Sequence, residues 1–169
     1  MVLVQKLSTK FSSVVTVRDL SECFNDSLLK LTRDFDEAIV VFDTYRVDSL
    51  KNRTRQKRRK GNDHVQYQVP DETNIRNTTL SRFLSHDQTK ADLTAYLAEK
   101  ILDYNRDSPK LIITSAAGLT RSNHDVGPFP EYNHEEADTL VICLGLSATE
   151  RNPEDAHMTF SLQTQMSWF

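Results

Sequence analysis

The chain has 169 residues, 38% hydrophobic and 27% charged, with a formal net charge of −3 and two cysteines. That length suits one domain with its own core, and the composition excludes a disulfide-stapled miniprotein, a low-complexity tract and a bundle of membrane spans. The charge is unevenly spread: residues 46–60 read "RVDSLKNRTRQKRRK", eight Lys or Arg against one Asp, so this stretch carries +7 and the remainder −10.

The start, "MVLVQKLSTKF", lacks the apolar stretch of a signal peptide, and no apolar run reaches membrane-spanning length. An intracellular protein is expected, nuclear or cytoplasmic, with no membrane partner. Cys23 and Cys143 fall inside apolar helical patterns, with no CxxC or paired-His zinc spacing. Buried thiols in a reducing compartment are therefore expected rather than a disulfide.

In chain order, Leu20, Phe24, Leu28, Leu31 and Phe35 recur at three- or four-residue spacing, which predicts an amphipathic helix over 17–35. "EAIVVFD" then reads as a buried parallel strand ending at Asp43. After the basic run, "VQYQV" (65–69) alternates and suits an edge strand, and "ETNIRNTTLSRFL" reads as loop followed by a short helix. From Ser85, the spacing of Leu93, Leu97, Ile101 and Tyr104 predicts a helix over 85–104. "KLIITSAAG" (110–118) is a second buried strand ended by a glycine, and a loop with Gly127, Pro128 and Pro130 leads to "NHEEAD". A last helix uses Leu140, Val141, Cys143, Leu144 and Leu146. Strands alternating with helices predict an α/β fold with a mainly parallel sheet.

Two acidic groups stand out. Asp43 follows a strand, and the carboxyl ends of strands are where open α/β sheets gather functional groups. Glu135, Glu136 and Asp138 open the last helix. Such oxygen ligands suit Mg²⁺ or Mn²⁺, which bind through a few carboxylates together with substrate phosphates. Capping is the simpler account of the spacing alone: Asn133 and Glu136 fit a reciprocal cap, and acids favour a helix N-terminus. It explains Asp138 less well.

The order "VVFDTY", basic insertion, "HEEADT" is what resembles the PIN-like nucleases, in the branch related to flap endonucleases and 5′–3′ exoribonucleases. More narrowly, the chain is similar to PIN-like proteins of invertebrate genomes that are often transposon-associated. The resemblance covers roughly residues 36–150. It implies a PIN-like three-layer sandwich, a mainly parallel sheet with helices on both faces. It also implies phosphodiester hydrolysis with Mg²⁺ or Mn²⁺ held by Asp43, Glu136 and Asp138, with Glu135 a neighbour. The partner would be single-stranded or flapped RNA or DNA, guided by the basic insertion through Lys51, Arg53, Arg55, Lys57, Arg58, Arg59 and Lys60.

Other residues carry two readings each. Tyr45 would stack on a base or pack at the strand end, and Arg46 would hold a phosphate. The basic run reads as a solvated face, a nuclear-localisation signal or a phosphate-binding arm. Lys90, on the first turn of its helix, is a phosphate contact or, more usually, a surface charge. His86 and His134 precede helices and suit caps. Ser115 in "TSAAG" lacks the glycine flanks of a nucleophile elbow, which argues against a hydrolase triad.

The chain departs from the resemblance at its end. A further acid pair, commonly "DTD", is expected on the strand after the last helix, whereas the sequence closes "FSLQTQMSWF" with no Asp after Asp155. Written back into codons and read from the third base, Ser161–Phe169 permits "T-P-D-T-D-V-L-V". The expected organisation is thus an N-terminal segment (1–35), an incomplete PIN-like domain (36–160) and an out-of-frame tail (161–169).

Overall fold

The computed structural model describes residues 14–42, 65–129 and 141–147. Along the chain run α1 (Val17–Leu31), β1 (Glu37–Val41), α2 (Leu80–Phe83), α3 (Asp87–Tyr104), β2 (Leu111–Ala116) and β3 (Leu119–Ser122), and residues 141–147 are helical. The chain is α/β, as its alternating patterns predict.

α1 begins at a capping box. The Thr16 hydroxyl accepts from the Asp19 amide at 3.2 Å, and the Asp19 carboxylate accepts from the amides of Thr16 (2.9 Å) and Val15 (3.0 Å). These two amides, Thr16 first, hold the Asp19 carboxyl below its ordinary range. Val17, Leu20, Phe24 and Leu28 are buried at helical spacing. The helix stops earlier than the predicted residue 35: Thr32 turns its amide and hydroxyl back to the Leu28 carbonyl. Leu31, the last residue of the helix, and Phe35, beyond it, are predicted members of the apolar face but are 52% and 40% exposed. The Lys110 ammonium closes this terminus, donating to the carbonyls of Thr32 (2.6 Å) and Phe35. A cation here complements the negative end of the helix.

The described strands form one sheet in the order β1-β2-β3. β1 and β2 are parallel, running from Glu37 opposite Leu111 to Val41 opposite Ser115. β2 and β3 are antiparallel, from Ala116 opposite Leu119 to Ile113 opposite Ser122. Among the described residues the sheet is therefore mixed rather than mainly parallel. The cause is local: Ala117 and Gly118 both take positive φ (51° and 80°), as a type I′ hairpin turn requires. The glycine that seemed only to end a strand folds the chain back on it.

One core lies on the sheet face carrying Ala38, Phe42, Ile112 and Ala116. α3 packs on β2 and α1 packs on α3. Leu93, Leu97 and Ile101 of α3 are essentially inaccessible, as their spacing predicts, whereas Tyr104 is 40% exposed. Each buried leucine or isoleucine stabilises by about 1.5–3 kcal/mol. Ile113 and Ser115 point to the other face of β2 and are also buried, so this strand is covered on both sides. Cys23 and Cys143 are half-buried thiols, less enclosed than expected, and no disulfide joins them.

Segment 65–69 alternates as predicted, with Tyr67 and Val69 packed against the core, but it forms no strand. At Tyr67 the backbone is satisfied by a side chain instead. The Tyr67 amide donates to the Thr89 hydroxyl at 2.9 Å, and that hydroxyl donates to the Tyr67 carbonyl at 3.3 Å. Among the described residues no helix is long and apolar enough to cross a membrane.

Candidate functional site

The site read from the sequence falls outside the described residues. This holds for Asp43, Tyr45 and Arg46, for the run from Lys51 through Arg53, Arg55, Lys57, Arg58 and Arg59 to Lys60, and for His134, Glu135, Glu136 and Asp138. What is described is the carboxyl end of the parallel pair β1–β2. The ladder continues one residue past β1, where the Phe42 amide donates to the Ser115 carbonyl at 2.9 Å. Phe42 is buried with its ring 6.0 Å from that of Phe24, so α1 helps to fix the end of this strand. Asp43 is the next residue in sequence.

Ser115 sits in the neighbouring strand end and is 2% exposed, with its hydroxyl accepting from Thr120 at 3.0 Å. Among the described residues no group of three His, Cys, Asp or Glu side chains is placed to hold a metal ion.

Near the N-terminus of α3 one residue follows its sequence reading and another departs from it. His86 is the N-cap: its Nδ1 accepts from the Gln88 amide at 3.2 Å. Lys90 is not a surface charge but is 3% exposed, with its ammonium 3.2 Å from the Asp87 carboxylate. α3 has to turn this face inward because Thr89, Leu93 and Thr94 share it and are buried. Burying an ammonium is costly unless an anion and hydrogen bonds compensate it, and Asp87 on the same turn supplies the anion.

A second polar cluster had no signature in the sequence. Asp71 accepts from Lys100 (3.0 Å), from the Tyr96 hydroxyl (2.9 Å) and from the Arg18 Nε (3.2 Å). Its own carbonyl accepts the Arg18 amide at 3.1 Å. Lys100, then Tyr96, hold the Asp71 carboxyl below the usual carboxylate range. Burial, aided by the Asp71 hydrogen bond, raises the Tyr96 hydroxyl above its ordinary value. The cluster ties loop 71–75 to α1 and α3; its donors go to Asp71 and, from the Arg18 Nη2, to Glu72 at 2.8 Å, so it is a fastening rather than a ligand site. No sequence pattern brings residues 18, 71, 96 and 100 together; only the tertiary fold does.

The described part of the molecule thus offers a strand end immediately before Asp43 and a firmly braced framework around it. Comparison with family models, with curated proteins and with solved structures finds no match to this chain.

Proposed function

We propose that the chain is a PIN-like, divalent-metal nuclease-like protein acting on the phosphodiesters of RNA or DNA. The observation that carries the reading is the parallel β1–β2 pair, whose carboxyl end stops one residue short of Asp43. Crevices beyond such strand ends are where α/β folds bind ligands. The finer fold proposed is the three-layer sandwich, supported by β2 being buried on both faces.

The proposed donor set, Asp43 with Glu136 and Asp138 and with Glu135 beside them, consists only of carboxylates. That chemistry fits hard cations such as Mg²⁺ or Mn²⁺ and not a thiolate-seeking metal. The bound ion would supply a water acidified near neutral pH and positive charge for the in-line displacement at phosphorus. Arg46 and the run 51–60 would neutralise and orient the phosphate backbone, with Tyr45 stacking on a base.

A second reading is a binder without cleavage, a remnant of a mobile element. What favours it is the +7 of residues 46–60, which would hold a phosphate backbone without any metal. The proposed frameshift near Thr159–Ser161 is tested by reading the gene and transcript through codon 169. For the activity, the assay is cleavage of a labelled single strand with Mg²⁺ or Mn²⁺. The nuclease reading expects cutting that chelation stops and Asp43→Asn abolishes. Salt-sensitive binding that survives Asp43→Asn, with no cutting by the wild type, selects the binder instead.

A further inference from the structure

Two segments far apart in the sequence complete each other's backbone at the start of α1. The first amides of a helix have no carbonyl one turn back to bond to. Here the Val17 amide donates to the Thr73 carbonyl and the Arg18 amide to the Asp71 carbonyl, both at 3.1 Å. The exchange is mutual: the Ile75 amide donates to the Val15 carbonyl at 2.8 Å, and Thr16 forms an antiparallel bridge with Asn74. Val17 and Ile75 are fully enclosed, so water does not take over their bonds while the segments stay together. Asp71 closes the junction with its side chain, which holds Arg18 of α1 and both Tyr96 and Lys100 of α3. The opposite end of α1 is shut by other groups, with Thr32 on the Leu28 carbonyl and the Lys110 ammonium on the Thr32 carbonyl.

We infer that the start of α1 and the loop 71–75 form a clasp that opens as one unit while the far end of α1 stays shut, with the Asp71 carboxylate as its latch. Lifting the loop alone strands the Val17 and Arg18 amides, and fraying the helix start alone strands the Ile75 amide. An enclosed amide left without an acceptor is costly, so neither segment leaves first. The coupling is reciprocal, as coupling between two sites must be, so a change of charge in the loop is felt at the helix start. Asp71 is where charge enters, since its side chain is 28% exposed and the three groups it holds come from two helices. Neutralising that carboxylate weakens its bonds to both helices at once. Opening bares Val17 and Ile75, apolar side chains that the closed clasp hides.

The test is amide hydrogen exchange of the full-length protein, followed residue by residue by NMR. Amides exposed by one shared opening have the same opening free energy, whatever their places in the sequence. In the wild type, Val17, Arg18 and Ile75 should agree in protection within about threefold and lie well below Leu97 in the middle of α3. Asp71→Asn keeps the shape and removes the charge. It should speed all three by one common factor of about 10 and leave Thr32, at the far end of α1, unchanged. Lys100→Gln removes one donor from the latch, should speed the same three by a smaller common factor, and serves if Asp71→Asn does not fold. Ile75 exchanging more than about tenfold faster than Val17 and Arg18 overturns the clasp, since the loop then lifts by itself. Protection of the three equal to that of Leu97 also overturns it, because only global unfolding then exposes them. Should Asp71→Asn speed Ile75 alone, none of the three, or Thr32 along with them, Asp71 is not the latch of a separate unit and the inference fails.

Discussion

Asp71 and Lys90 carry opposite lessons about charge. Asp71 is exposed enough to be hydrated, yet Lys100, Tyr96 and Arg18 all converge on it, and its carboxyl is held below the ordinary 3.8. A carboxyl depressed in the folded state adds stability above its unfolded pKa, and that stability is lost as pH falls through the folded value. Asp71→Asn should lower the urea midpoint at about pH 6 and have a smaller effect at about pH 3, below the ordinary carboxylate value, where the unfolded chain takes up the proton and the contribution of the ionised carboxylate declines. Equal effects at both pH values would show that the charge of Asp71 is immaterial. The pair Lys90–Asp87 is lopsided instead, with side chains 4% and 23% exposed. Removing the lysine leaves a carboxylate that water can reach, whereas removing the carboxylate weakens compensation of an enclosed ammonium. Asp87→Asn should therefore cost roughly 3 kcal/mol and Lys90→Met about 1, read from denaturant unfolding. The reverse order would mean that Lys90 is compensated mainly by other groups.

Among the elements, legibility followed the length of the pattern. The stripes of α1 and α3 repeat over several turns, and Leu20, Phe24, Leu28, Leu93, Leu97 and Ile101 are buried where the spacing puts them. The strands β1 and β2 were readable from continuous apolar runs. What failed were features decided by a few atoms. α1 ends where Thr32 caps it, not where the apolar spacing runs out, and segment 65–69 alternates without forming a strand, with Thr89 taking the backbone bonds of Tyr67 at its centre. β3 was missed because Ala-Gly is an unusual pair for a turn that needs positive φ twice, and Asn-Gly is the usual signal. That choice leaves strain at Ala117, since a left-handed conformation costs a residue with a Cβ about 1–2 kcal/mol. Ala117→Asn should thus raise stability by about 0.5–1 kcal/mol. Gly118→Ala should lower it by about 1 kcal/mol through backbone strain alone, because the space around an added Cβ is open. Thermal melting of the two variants checks both signs, and a stabilising Gly118→Ala would refute the turn assignment.

For the whole molecule, the candidate site was legible only as sequence order, because its acids and its basic run fall outside the described residues. The described residues that flank the run in sequence are Phe42, hydrogen-bonded to Ser115, and Tyr67, hydrogen-bonded to Thr89. The charge distribution yields a test that needs no knowledge of the acids. The rest of the chain carries −10, which repels a polyanion, so attraction must come from the +7 of residues 46–60. If about six of these cations meet phosphates on a single strand, log affinity should fall against log salt with a slope of about −4, roughly tenfold or more for each doubling of salt. Replacing Arg58, Arg59 and Lys60 by glutamine removes three cations and should flatten the slope by about 2, whichever base sequence is used. Asp43→Asn should leave the slope unchanged, since it removes no cation. A slope near zero in the wild type would assign the run to a solvated face. An unflattened slope in the triple variant would move the phosphate contacts elsewhere on the molecule. Only the expected pair of results ties binding to this run, because sequence-independent flattening is what the loss of phosphate contacts produces and what the loss of a base contact does not.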